Sequence, residues 1–448
     1  MLFHNHCILR EFRALLKLSL PLMGTYLVMS LAGFIDTLMA GQYSSVDLAG
    51  VAIAYTAWIP VNVFLVGLLM GKTAFISQLY GARKLRDIVA MGQQGLLLAT
   101  GSGIVGLALL SVFSELLIYV DASNAVREIA SGYLTFVALG MPGVALNQAL
   151  RSYLEGQGYV RSVMVAQVLG LLINIPLNYA LIYGRFGLPE MGGLGCGIAT
   201  AVIMWLSPLF MVAYICFNKA LKSTSPFCYA LDLDLEKLKA LVAIGLPIAV
   251  TLFCQFLVFM VITVLLASHG HVVVGAHQIV FNVSTLLMMV PSAIGGAVTI
   301  RAAYYIGAGH SSMGGFVSLV GLSISFMVMC VLGVGGWWAR FSIVRLYTQD
   351  LAVIELAASL MGLVVIYLLL TVIQQLGAAA LRAYRDAFSV MWIMLVSLWG
   401  IMLPLGYFLA NMDFLGAPLG VKGFWLAMVV AYFLAAIGTC CRCCLVVK

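Results

Sequence analysis

Apolar positions run through this chain in long, nearly unbroken stretches separated by glycine, proline or charge. About 20 apolar residues span a bilayer core as a helix. Twelve such stretches predict transmembrane helices at approximately 13–40, 47–80, 87–119, 127–154, 161–185, 194–217, 237–268, 274–306, 312–347, 352–384, 388–412 and 418–441. Several exceed the necessary ~20 residues, which implies tilt or extension beyond the bilayer. The longest connection, Phe217 to Leu238, holds Lys219, Lys222, Asp232, Asp234, Glu236 and Lys237. It divides the chain into an N-lobe over 1–217, a linker over 218–237 and a C-lobe over 238–448. The pattern predicts an all-α polytopic membrane protein with twelve transmembrane helices in two pseudo-symmetric six-helix bundles.

The two halves repeat. A shift of 226 residues lays Leu20-Pro21-Leu22 on Leu246-Pro247-Ile248, Ile53 on Ile279, and Gly81-Ala82 on Gly307-Ala308 without a gap. Further on, Ala149-Leu150-Arg151-x-Tyr153 matches Ala380-Leu381-Arg382-x-Tyr384, and Pro176-Leu177-x-Tyr179 matches Pro404-Leu405-x-Tyr407. Six helices per half make these parallel repeats about an axis along the membrane normal, an arrangement typical of transporters that alternate access to a central cavity. Pro21, Pro60, Pro142, Pro176, Pro208, Pro247, Pro291 and Pro404 fall inside the helices, where each removes a backbone hydrogen bond and can bend its helix.

Composition fixes the class. Of 448 residues, 63% are hydrophobic and 9% charged, against roughly 25% charged in soluble domains. The net charge of +7 is therefore read against a membrane before a nucleic acid, and no basic groove with interleaved aromatics suggests a nucleic-acid partner. With the N-terminus inside, 18 of the 23 Lys and Arg residues fall on the cytoplasmic side, leaving Arg127, Arg185, Arg340, Arg345 and Lys422 outside. That asymmetry predicts that both termini are cytoplasmic. The opening MLFHNHCILREFRALLKL reads as a retained cytosolic lead-in, not a cleaved signal. Ten cysteines lie mostly in or beside apolar runs, so a disulfide framework is not expected. The terminal CCRCC suits either a metal or acylation site or small apolar residues at a helix end.

One polar position stands out. Leu20 to Gly41 carries Asp36 among Phe34, Ile35, Leu38 and Met39, well inside a helix, whereas Glu115 and Glu355 fall near helix ends. A carboxylate in hydrocarbon is costly and marks a functional site. Lys72, eight residues before Tyr80, is expected to snorkel to the cytoplasmic interface.

The run Pro-x14-Asp-Thr-x-Met-Ala-Gly from Pro21 to Gly41, QLYGA at Gln78–Ala82, NIPLNY at Asn174–Tyr179 and GAHQI at Gly275–Ile279 together resemble the MATE family. These are the multidrug and toxic compound extrusion transporters, and the likeness is to their bacterial NorM-like branch, from about Leu15 to Leu445. The resemblance implies efflux of amphipathic, often cationic, compounds in exchange for protons or sodium ions. It assigns cation or proton coupling to Asp36, Asn174 and Thr200, with Asn178 where some members carry an aspartate. Asn174 and Asn178, four apart, share a helix face. The four side chains could form an oxygen cage for sodium at Asp36 or a hydrogen-bonded nest for a protonatable acid; alternatively, the two asparagines could patch the backbone opened by Pro176. The C-lobe departs from the family pattern: Gln255 and Thr371 stand where a glutamate and an aspartate are usual, and neither carries charge.

His277, Gln278, Asn282 and Thr285 form a candidate polar stripe lining a substrate cavity, as do Tyr367, Gln374 and Gln375. No phosphate loop of the G-x-x-x-x-G-K-[ST] type and no catalytic constellation is present. The expectation is a secondary transporter, not an enzyme, without cofactor or resident metal, monomeric, with amphipathic small molecules and the bilayer as partners. A flippase for lipid-linked saccharides is the alternative. It would need basic residues deep in the cavity, and Lys72 and Arg301 are the few candidates. A non-transporting receptor or scaffold is a third reading, which the repeat and Asp36 disfavour.

Overall fold

The computed structural model describes residues 2–228, 233–412 and 418–446, with side chains from residue 8. Asp232 and Lys448, counted above among the charges, lie outside the described residues. All regular structure among the described residues is helical. Twelve helices are long and apolar enough to cross a membrane: α1 (Ile8–Tyr43), α2 (Ser45–Gly81), α3 (Leu85–Tyr119), α4 (Asn124–Gly156), α5 (Val160–Ile182), α6 (Gly193–Phe217), α7 (Leu235–Ala267), α8 (His271–Gly307), α9 (Ser311–Trp338), α10 (Leu351–Ala383), α11 (Ala387–Asn411) and α12 (Val421–Val446). The expected boundaries hold to within a few residues, except that α1 starts earlier, α9 ends nine residues before the expected 347, and α12 ends later.

Three interruptions were not evident from hydropathy. α2 breaks at Gly71, and the ninth predicted run divides at Ala339 into α9 and a short helix, Arg340–Arg345. In α11, residues Val396–Met402 widen into π-helical turns just before Pro404. A proline cannot donate to the carbonyl one turn back, and a π-bulge is a known way for a helix to absorb such a mismatch.

The helices form two compact units. One comprises Met1–Met23 with Val250–Lys448, the other Gly24–Ala249. The chain thus passes from one unit to the other two or three residues after Pro21 and again after Pro247, at equivalent points of the repeat. The repeat recurs in the backbone as well: Arg83 and Gly309, 226 apart, both take left-handed φ values, of 56° and 83°. Tyr153 donates to the Thr224 carbonyl at 2.8 Å, and its repeat partner Tyr384 to the Ser311 carbonyl at 2.9 Å.

Within the Gly24–Ala249 unit, small residues permit close helix approach. Gly103 meets the backbone of Pro142, and Gly143 that of Met204. The core there gathers Val51, Leu65, Leu110, Tyr133, Leu134 and Met141. The start of the inter-lobe connection folds onto the same unit. Thr224 and Ser225 are buried, and Gln93 donates to the Pro226 carbonyl at 3.1 Å. In the other unit Trp425, Tyr432 and Phe424 on α12 are fully buried.

Candidate coupling site

Asp36 lies on α1 with 8% of its surface exposed. Asn178 Nδ2 donates to its Oδ1 at 2.6 Å and Thr200 Oγ1 to its Oδ2 at 3.1 Å. Asn178 Nδ2 also donates to Asn174 Oδ1 at 3.1 Å. The Cys196 thiol, one turn before Thr200 on α6, donates to the Asp36 carbonyl at 3.9 Å. Asp36, Asn174, Asn178 and Thr200, scattered over three helices, therefore converge in one place. The asparagine side chains bond to the carboxylate and to each other, not to the backbone around Pro176.

The arrangement is a nest of neutral donors around one carboxylate. Asn178 Oδ1 is buried without a hydrogen-bond partner. Rotating that amide would withdraw an N–H from Asp36 and present an oxygen beside it. Such a site can release or take a proton on the carboxylate, or offer oxygens to a hard cation. Among the described residues no three His, Cys, Asp or Glu side chains group to hold a metal, at the C-terminal cysteines or elsewhere.

Among the described residues three further buried acids lie in the helices, beyond what hydropathy picked out. Glu155 pairs with Arg151 at 2.6 Å, and Glu11 pairs with Arg301 at 2.8 Å. Asp47 accepts the Gly193 N–H at 2.6 Å and so anchors the start of α6. The signal that separates them is a partner. Each of the three meets a cation or a backbone N–H, whereas the side-chain partners of Asp36 are neutral.

The repeat does not reproduce the nest. Ile262 stands 226 residues after Asp36, and Met402 and Gly406 stand 228 after Asn174 and Asn178. In that unit Gln255 donates to the Tyr432 hydroxyl at 3.0 Å, and Thr371 to the Tyr367 carbonyl of its own helix at 2.7 Å. Tyr367 packs edge-on against Tyr432 at 5.0 Å and Trp425 at 5.8 Å. Gln374 is buried, and Gln375 donates to Ser292 Oγ at 2.8 Å.

Two expectations need correction. His277 does not share the stripe of Gln278, Asn282 and Thr285. Successive helix residues are about 100° apart, so His277 turns into the core while the other three are exposed. It stacks on Phe281 at 6.0 Å and lies 5.8 Å from Trp425, whereas Asn282 accepts from the Tyr347 hydroxyl at 3.1 Å. Lys72 does not snorkel: it is 2% exposed and its Nζ is buried without a hydrogen-bond partner. Gly95 on α3, lacking a side chain, leaves the space that the lysine stem and Nζ fill.

Comparison with known proteins agrees with this architecture. The family profile described as MatE matches residues 21–180 and 247–408, so the two matches begin at Pro21 and Pro247. The chain is 37% identical over 427 residues to the probable multidrug resistance protein NorM of Shewanella oneidensis, covering 95% of this chain and 93% of that one. It is 35% identical over 429 residues to the multidrug resistance protein NorM of Vibrio cholerae, covering 96% and 94%. The fold superposes on an outward-facing multidrug resistance MATE transporter of the MOP superfamily with a TM-score of 0.88 at 19% identity, over 97% of this chain and 96% of that one. A eukaryotic MATE transporter gives 0.87 at 18% identity, with the same two coverages. Twelve spanning helices, a twofold repeat and these matches place the chain in the MatE family of membrane transporters.

Proposed function

We propose that this protein is a multidrug efflux antiporter that exports amphipathic, often cationic, compounds by alternating access, exchanging them for protons through Asp36. The observation that carries this reading is a buried carboxylate that accepts side-chain hydrogen bonds from neutral groups, Asn178 and Thr200 among them. A lone carboxylate with neutral partners needs only one proton to become neutral, whereas sodium requires several oxygens to converge. Sodium is the second reading, favoured by the unpartnered Asn178 Oδ1. The multidrug resistance names of the relatives support the substrate class. Lys and Arg asymmetry supports an inner-membrane protein with both termini in the cytoplasm. A monomer suffices, since the whole nest comes from one chain, and neither a cofactor nor nucleic acid is required. The flippase alternative loses ground at one of its two basic candidates, because Arg301 is already neutralised by Glu11 and only Lys72 is left unpaired.

The test is ethidium efflux from proteoliposomes under separate pH and sodium gradients. Wild type should follow the pH gradient. Asp36→Asn should fold and bind ethidium but lose gradient-driven efflux by about tenfold or more. Efflux at the wild-type rate in Asp36→Asn would remove Asp36 from the mechanism.

A further inference from the structure

The two segments that cross between the compact units, residues 8–23 of α1 and 235–249 of α7, are copies of one repeat element. They are fastened by different means. The α7 segment is held by close backbone approach: a Cβ on Gly245 would overlap the Leu68 carbonyl oxygen, and one on Gly67 would meet the backbone of Ala249. Of its three charged residues, Glu236, Lys237 and Lys239, Lys237 reaches Asp87 at 3.6 Å and Asp234 at 3.0 Å in partly exposed pairs. The repeat partner of Lys237 is Glu11, of opposite charge and with a side chain that is 0% exposed.

Glu11 is bound on both oxygens. Arg301 Nε donates to Oε2 at 2.8 Å and Arg301 Nη2 to Oε1 at 3.1 Å. The Tyr305 hydroxyl donates to Oε1 at 2.7 Å, and Arg10 Nε to the same oxygen at 3.3 Å. Tyr305 in turn accepts from Arg10 at 3.0 Å and from Arg301 at 2.9 Å, and its ring lies 4.8 Å beneath the Arg301 guanidinium. Arg301 and Tyr305 are one turn apart on α8, so three hydrogen bonds tie one carboxylate of α1 to one face of α8.

We propose that Glu11, Arg301 and Tyr305 form a latch that fastens the front of α1 to α8 in this conformation and unfastens when access alternates. Glu11 is thereby a positioning residue for transport, because the same helix carries Asp36 twenty-five residues further on. A bidentate ion pair with its carboxylate buried and its guanidinium partly exposed is well suited to this. It adds little net stability over an apolar contact, yet it has two discrete states, and loss of one partner strands the other charge. This inference rests on the alternating-access reading above.

Amide hydrogen exchange in lipid nanodiscs tests the latch independently of transport. Glu11→Gln should speed exchange in residues 12–20 by about tenfold while leaving α3–α6 unchanged. Tyr305→Phe should give a smaller increase in the same segment. The charge-exchanged Glu11→Arg/Arg301→Glu protein should return exchange to within about threefold of wild type. In proteoliposomes Glu11→Gln should lower the maximal ethidium efflux rate about fivefold with half-saturation unchanged. Wild-type exchange in residues 12–20 of both single variants would overturn the latch, as would a normal efflux rate in Glu11→Gln. If wild type itself shows no gradient-driven efflux, the transport reading fails, and exchange alone decides whether the latch exists.

Discussion

Asn178 is the residue on which the candidate site turns, because its single amide nitrogen touches both Asp36 and Asn174. Asn178→Ala removes one donor from the carboxylate and one from its neighbour. The expected result is a shift of about half a pH unit or more in the midpoint of pH-driven efflux, at unchanged expression. Lower expression with an unchanged midpoint would reduce Asn178 to a packing role. Lys72 makes the opposite case. Its buried Nζ has no partner, and an unsatisfied buried polar group costs about 1–3 kcal/mol. Lys72→Met keeps the stem that fills the space over Gly95 and drops the ammonium, so it should raise thermal stability by about that amount. A fall in the melting temperature would mean that the ammonium has a role this conformation does not display. Asp36 was legible in the sequence because one acid interrupts an apolar run. Glu11 and Glu155 were not, because each sits beside arginines at a helix end, where charge usually signals solvent. The partner of Glu11 is 290 residues away, and no local pattern announces it.

At the scale of elements, the twelve helices follow directly from hydropathy, since a helix is one of the few structures that satisfies its own backbone in a bilayer. What hydropathy does not contain is how one helix meets the next. Asp386 illustrates this. It accepts the Ser389 N–H at 3.2 Å, capping α11, and the Arg442 Nε at 2.6 Å, tying down the end of α12. Burial alone would raise its carboxyl, but Arg442 and Ser389 outweigh burial and hold it below the usual aspartate range. Because the folded value is depressed, the contribution of Asp386 is complete above the unfolded aspartate value of about 3.9 and is lost as pH falls through the folded value. Asp386→Ala should cost about 1 kcal/mol near neutral pH. Thermal melts should show that gap narrowing below about pH 4; a constant gap would mean that the cap, and not the charge, carries the effect.

Over the whole molecule the two halves share an architecture but not a chemistry. The half with Asp36 holds an acid nest, while its repeat partner presents Ile262, Met402 and Gly406 at the equivalent positions and an aromatic cluster around Tyr367. Under the proposed function this asymmetry leaves Asp36 as the single acid of the candidate site. The Gln255→Glu/Thr371→Asp double variant should acquire a cation response that wild type lacks, read as efflux under a sodium gradient at constant pH. A double variant that folds and still answers only to pH would show that carboxylates alone do not make a second site. The repeat was legible because Pro21 and Pro247 keep their spacing. Its chemical inequality was legible only at Gln255 and Thr371, since the apolar replacements elsewhere look like ordinary helix.

The unit that contains Val250–Lys448 also needs Met1–Met23, so its two parts are made before and after the other unit. At roughly 5–20 residues per second, the ribosome takes on the order of 10–50 s to make the intervening unit. The front of α1 is therefore made before that unit and waits, its Glu11 without Arg301, until α8 has been inserted. Residues made before the intervening unit are thus among the last to reach their final partners, and each newly made copy passes through an interval in which one unit has every residue it needs while the other cannot yet close.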